Sequence, residues 1–417
     1  MGNVVELETR TRPPARRRRR RRSKTALVLG GGGFTGGVYE IGALRALDLL
    51  TVDRTVNEFD VYVGTSAGAL IAALAANGVT PEQMMRVVND QVPQPFRDVS
   101  LDMLLRPNYR EFVSKGIRLP FHLLGVLREV GRKLPGLSTV DLAVALADLL
   151  PSGLYTGSGI EEYVQAVLSD PDRTDDFREL ESELYLAATD LDTCERIVLG
   201  AAGWDDVPIS VAVRASAALP MVYQPAQVKD RELVDGGIVS TTNLDIAVEA
   251  GAKLIVVVNP LVPYVNDFTK EIPTLFGTRT RRVSDMGFPK IGYQTFKLLA
   301  YQRLHEVARG WRERYPGVDI VLIEPDTDDE LMFQTNILDY RSRLEVARHG
   351  FQSVTVKLAA DYEELREVVG RHGIEISATR VRKVMRHFEA EKDEKARAWR
   401  RILEQTTSTL LRQSAGD

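Results

Sequence analysis

Gly64-Thr65-Ser66-Ala67-Gly68 fits the pattern G-x-S-x-G. It stands between a strand-like run, FDVYV at 59–63, and an apolar helical run, ALIAALAANG. A strand that turns straight into a helix leaves no room for side chains beside the turn. Hence the flanking glycines, Gly64 and Gly68. The serine then projects from the end of the sheet at a helix N-terminus, where backbone N–H groups and the helix dipole favour negative charge. By pattern alone this is most often an ordinary turn. The strand before it and the helix after it favour a nucleophile.

A glycine run, Gly30 to Gly33, follows a short apolar stretch, TALVLG at 25–30, and continues as Phe34-Thr35-Gly36-Gly37. Consecutive glycines let backbone N–H groups converge on one point. Three readings compete. One is close packing between a strand and a helix. A second is the dinucleotide fingerprint G-x-G-x-x-G, matched by Gly31, Gly33 and Gly36. That reading needs an acidic residue at the end of the second strand, and here the strand runs into Gly64-Thr65-Ser66 instead. The third is an oxyanion hole, with donors aimed where negative charge develops in acyl transfer. The serine on the adjacent strand favours the third. No Gly-Lys-Ser/Thr follows, which excludes a P-loop.

A serine nucleophile needs a base. Asp235, in Val234-Asp235-Gly236-Gly237, closes a short strand and is one candidate. Parallel strands would deliver it to the same side as Ser66. Taken alone, it reads as an Asp-Gly turn. The chain has five histidines, and only His349 and His372, each followed by Gly, read as loop residues. They keep open a Ser-His-Asp triad of the α/β-hydrolase kind. Scarcity of histidine favours a direct Ser–Asp pair.

The positioning elements follow from periodicity. Strands are expected at 25–30, 59–63, 183–189, 196–199, 231–234, 253–258 and 318–323, and helices at 158–168, 208–218, 243–250, 290–314 and 340–369. VYEIGALRALDLL after the glycines is helical, with Val38, Ile41, Ala43, Leu44 and Leu47 as its apolar positions. Strands alternating with helices predict an α/β fold with a mostly parallel central sheet covered on both faces. Residues 97–137 read as a helical insertion. Within it the segment 117–134 mixes leucines with Arg118, Arg128, Arg132 and Lys133 as a basic amphipathic helix. The organisation expected is a disordered tail over 1–23, a catalytic domain over 24–370 and a charged helical extension over 371–417.

The chain of 417 residues is 44% hydrophobic, enough for a large core. Its single cysteine, Cys194, excludes an intrachain disulfide and fits a reducing, cytoplasmic setting. No apolar run reaches the length of a membrane span, and the first residues, MGNVVELETRTRPPA, hold no apolar run long enough for a secretory signal. The net charge of −4 hides an asymmetry. Residues 1–24 carry ten Lys/Arg against two Glu, a net of +8, so the remainder carries −12. The run Arg16 to Arg22 is read as a solubilising tail or as an electrostatic tether to anionic lipid or nucleic acid.

Taken together, the glycine loop, the G-x-S-x-G and the downstream D-G-G resemble the patatin-like phospholipase family. The resemblance runs from about Ala26 to Pro263. It includes TDLDTCERIVL at 189–199, VRASAALP from Val213 to Pro220, and 230–259. It implies a three-layer α/β fold, Ser66 as nucleophile and Asp235 as its base. It implies Gly31, Gly32 and Gly33 as oxyanion donors, joined by the N–H of Ala67. It also implies a phospholipid or other acyl-ester substrate, with no metal or cofactor; the partner expected is that lipid and not nucleic acid. The family often carries Arg or Lys just after the glycine triplet; here Phe34-Thr35 stands there, with no cation.

Overall fold

The computed structural model describes residues 23–89, 104–114, 150–269, 271–274, 277–280, 282–335, 339–386, 388 and 390. The arginine-rich tail, the basic segment 117–134 and the extension beyond 390 lie outside these residues.

Strand β1 (Thr25–Leu29) leads into helix α1 (Gly33–Leu50), and β2 (Val61–Thr65) into α2 (Ala67–Ala76) and α3 (Pro81–Val88). Thr80 caps α3 through a capping box with Gln83, and Pro81 fits the first turn, where no N–H is needed. Next come β3 (Gly153–Tyr155), α4 (Ser158–Leu168), β4 (Glu183–Asp190), β5 (Arg196–Leu199) and α5 (Ile209–Ser216). The chain continues through β6 (Met221–Tyr223), β7 (Ala226–Val228), β8 (Arg231–Asp235), α6 (Leu244–Glu249) and β9 (Leu254–Val258). A small hairpin, β10 (Glu271–Thr274) and β11 (Gly277–Thr280), precedes the long α7 (Phe288–Arg314) and β12 (Asp319–Ile323). Helices α8 (Glu330–Gln334), α9 (Arg343–Ala360) and α10 (Tyr362–Arg371) follow. The single helix expected over 340–369 is thus two, divided at Asp361.

The main sheet has the path β12-β9-β1-β2-β4-β8-β7, with β5 also on β4. The pairs from β12 to β4 are parallel, as expected. Strands β1, β2 and β9 are buried at every residue, as a parallel sheet covered on both faces requires. Leu27, Leu29 and Tyr62 face one core with α1, α2 and α9. Val28, Val63 and Val257 face a second core with Leu244 of α6 and Leu304 of α7. The fold is therefore three layers, helix, sheet, helix. Past residue 370, Ile376 and Val381 join the first core, and Ile376 bridges Thr51 at the end of α1.

One expectation about the sheet is corrected. Strand β8 runs antiparallel to β4, not parallel, with Asp235 opposite Ala188. Strand β5 holds one edge of β4 over Leu186–Thr189. A strand residue has only two edges, so β2, paired to 183–187, and β8, paired to 188–190, share the other edge. They approach head to head: Thr65 ends opposite Ala187 and Asp235 ends opposite Ala188.

Candidate active site

Ser66 follows the last residue of β2 and caps α2, with φ 57 and ψ −125. A non-glycine residue there is strained, at a cost of about 1–3 kcal/mol, and persists only where the surroundings enforce it. They do so here. A Cβ on Gly64 would lie 2.5 Å from Cα of Ala69, and one on Gly68 2.4 Å from the carbonyl oxygen of Leu29. Only glycine fits on either side. The Ser66 N–H donates to Oγ of Ser216 at 3.0 Å, and that hydroxyl donates to the Ala187 carbonyl at 2.6 Å. Ser216, at the end of α5, is a support that the sequence reading did not single out.

The Ser66 hydroxyl lies close enough to the Asp235 carboxylate to lower its pKa, and Oδ1 of that carboxylate accepts the Gly237 N–H at 2.7 Å. Asp235 is only 2% exposed. Burial pushes its pKa up from 3.8 to about 6, and the Ser66 hydroxyl and the Gly237 N–H offset part of that rise. A carboxylate that is ionised near neutrality yet still holds appreciable basicity suits a proton acceptor.

The glycine loop passes directly over the serine: a Cβ on Gly31 would lie 3.2 Å from Ser66 Cβ. Gly31 is nonetheless removed from the expected donors, because its N–H already donates to the Thr241 carbonyl at 2.9 Å. Gly33 opens α1 and Ala67 opens α2, and both line the same cavity as Ser66. First-turn amides have no intrahelical acceptor. Two helix N-termini, with their positive dipole ends, therefore converge beside one hydroxyl. Gly32 caps α1, and a Cβ on it would lie 2.9 Å from both Cα of Gly36 and Cγ of Pro260.

The loop after Asp235 ties these parts together. Thr241 holds Gly31, and Nδ2 of Asn243 donates to Oγ1 of Thr65 at 3.0 Å. Arg196 fixes Asn243 in turn, through its Oδ1 at 3.2 Å. The two histidines are engaged elsewhere, and His349, expected on a loop, lies within α9 instead, while His372 follows the last residue of α10. His349 bonds Asp329 at 2.5 Å, and His372 sits between Ser23 and Asp319 at the N-terminal ends of β1 and β12. Ser66 lies at the opposite, C-terminal end of the sheet, and neither histidine lines its cavity.

That cavity is about 160 Å³ and is walled by apolar side chains of α1, α2, α3 and α4. Phe34, where the family often has a cation, packs against Tyr340 with ring centroids 5.3 Å apart. Among the described residues no group of His, Cys, Asp or Glu is arranged to hold a metal ion, and no helix is long and apolar enough to cross a membrane.

The family described as "Patatin-like phospholipase" matches residues 27–248, which contain the glycine loop, Ser66 and Asp235. No curated protein sequence matches the chain. Among solved structures the chain is similar to VipD from Legionella pneumophila, at 14% identity over 81% of this chain and 67% of that one, with a TM-score of 0.35. It is similar to the type III effector ExoU at 15% identity, over 80% of this chain and 52% of that one, with a TM-score of 0.32. Human GIVD cytosolic phospholipase A2 in complex with methyl γ-linolenyl fluorophosphonate is similar at 11% identity, over 84% of this chain and 59% of that one, with a TM-score of 0.32. The chain thus spans between about half and two thirds of these structures' length. With its family match covering more than half of the sequence, the chain belongs to the patatin-like phospholipase family.

Proposed function

We propose that the chain is a serine lipid acyl hydrolase that cleaves fatty acyl esters through a Ser66–Asp235 dyad. The observation that carries this reading is that β2 and β8 bring the strained Ser66 and the buried Asp235 carboxylate together opposite adjacent residues of β4, with Ser66 lining an apolar cavity. Ser66 Oγ attacks the ester carbonyl while Asp235 takes its proton. The carbonyl oxygen becomes an oxyanion among the amides of Gly32, Gly33 and Ala67. Asp235 returns the proton to the departing alcohol, and the acyl group stays on Ser66. Water then enters, loses a proton to Asp235 and releases the fatty acid, which restores Ser66. One carboxylate serves both half-reactions as base and then acid.

The substrate class is a phospholipid or another acyl-ester lipid, since the cavity offers apolar surface and little else to the acyl portion. The same reading gives the basic tail a peripheral contact with anionic lipid. The test is lipid mass spectrometry of membranes incubated with wild type and Ser66→Ala, with fluorophosphonate labelling in parallel. Free fatty acid and label on Ser66 are expected from wild type alone. A wild-type protein that takes no label and releases no acyl chain overturns the proposal.

A further inference from the structure

The cavity beside Ser66 has a direction. Its lining on α1 runs from Gly33 to Ile41, and its lining on α2 runs from Ala67 to Leu74. Both helices start at the nucleophile and run away from it. At ~1.5 Å rise per residue these stretches make a slot about 10–12 Å deep. The lining residues farthest from Ser66 along these two helices are Ile41 and Leu74, and Met84 of α3 lines the cavity with them; the three are buried, at 6%, 5% and 3% exposed, and make its floor. A lipid chain in a bilayer spans half of the ~30 Å hydrocarbon core, about 15 Å. The slot therefore takes most of one chain and then stops.

The floor is also held in place. Arg343 of α9 is the one charged side chain lining the slot among the described residues. Its Nε donates to the carbonyl of Val88, the last residue of α3, at 3.0 Å, and its Nη1 to the Tyr340 carbonyl at 3.1 Å. Its guanidinium lies 4.0 Å from the centre of the Tyr340 ring. The helix that supplies Met84 is thus bolted to α9 at its C-terminal end.

We propose that this slot measures the acyl chain, with Ile41, Leu74 and Met84 setting the longest chain that is fully buried when its carbonyl meets Ser66. The inference rests on the acyl hydrolase reading and adds to it a selected chain length. Each methylene that enters the slot strengthens binding in the transition state, so kcat/KM rises about fourfold per added methylene, equivalent to ~0.8 kcal/mol. Once the floor is reached, further methylenes remain outside and the rise ends.

The experiment is a homologous series of saturated aryl esters, from acetate to stearate, with the full-length protein. A climb in kcat/KM followed by a break is expected. Leu74→Phe fills the slot and moves the break to shorter chains, and Met84→Ala deepens it and moves the break to longer ones. The opposite signs separate a ruler from general damage, and Met84→Ala carries the test alone if Leu74→Phe does not fold. A flat wild-type profile, or a break that neither variant moves, overturns the ruler while leaving the hydrolase in place. Full activity in Ser66→Ala overturns the hydrolase reading itself.

Discussion

Ser66 and Asp235 meet because the strands that carry them approach head to head along one edge of β4, ending opposite the adjacent residues Ala187 and Ala188. Neither side chain has to reach far. The serine is delivered by a strand running up to the switch point, and the carboxylate by a strand running down to it. In the proposed dyad, a hydroxyl and a carboxylate delivered in this way react without an intervening imidazole.

The first prediction follows. Asp235→Asn keeps the shape and the Gly237 hydrogen bond but removes the proton acceptor. Loss of a general base typically costs 10²–10⁴ in rate. Turnover of a short soluble ester should fall by at least about 10² in Asp235→Asn and become undetectable in Ser66→Ala. His349→Ala and His372→Ala should remain within a few-fold of wild type. Near-normal turnover in Asp235→Asn with a dead histidine variant would mean a triad instead.

A second prediction concerns the glycine loop. A Cβ on Gly32 collides with Gly36 and Pro260, so Gly32→Ala must shift the loop and its amides. A lost oxyanion donor costs about 10²–10³ in kcat. Gly32→Ala should lower kcat by that much with KM changed far less. Equal losses in both parameters would place the loop in ground-state binding.

The candidate site is legible in the sequence because its signals are local. G-x-S-x-G between a strand and a helix is a contiguous pattern, and so are the glycine run and the D-G-G. The donor role of Gly31 was not, because its N–H is claimed by Thr241, far along the chain. Ser216 escaped notice for the same reason. The direction of β8 could not be read, since a five-residue strand has no directional signature and β8 pairs antiparallel. Helical spacing in α1 marked its apolar positions, yet Glu40 is also fully buried, and burial pushes its pKa well above the usual carboxylate range. Periodicity reports one buried face, whereas this helix is enclosed by the sheet on one side and by α9 on the other.

A third prediction tests the elbow. Ser66→Gly removes the hydroxyl and relaxes φ 57, whereas Ser66→Ala removes the hydroxyl alone. Both should be inactive. Ser66→Gly should be more stable than Ser66→Ala by about 1 kcal/mol or more in denaturant titrations, the strain released. Equal stabilities would mean that the backbone at Ser66 is not strained in solution.

A fourth prediction separates charge from apolar burial at the membrane. Deleting residues 1–22 removes nine arginines. Basic residues near an anionic surface contribute up to about 1 kcal/mol each, and salt screens that attraction. Binding to vesicles rich in phosphatidylserine should weaken markedly at low salt and little at high salt, as measured by co-sedimentation. A deletion that leaves low-salt binding intact makes the tail irrelevant to lipid.

The fifth prediction comes from the titration of Asp235. Its pKa in the folded protein is about 6, raised from 3.8 by burial. As a base it works only when ionised, so kcat/KM should fall tenfold per unit as the pH drops below about 6. Stability runs the other way. A carboxyl whose pKa is raised on folding contributes stability that is fully present below about pH 4, is lost as pH rises to about 6, and is absent above. A shift of about two units corresponds to ~3 kcal/mol. Asp235→Asn, which carries no charge at any pH, should therefore be more stable than wild type at pH 8 by up to ~3 kcal/mol, with the advantage vanishing below about pH 4. Thermal or denaturant unfolding of both proteins across that window measures it. Ser66→Ala adds a check of the pair itself. The Ser66 hydroxyl holds the Asp235 pKa down, so removing it should raise that pKa further, which the carboxyl band in an infrared titration would report. An unchanged Asp235 pKa in Ser66→Ala would mean that the two side chains are not bonded in solution, and the dyad would lose its geometric basis.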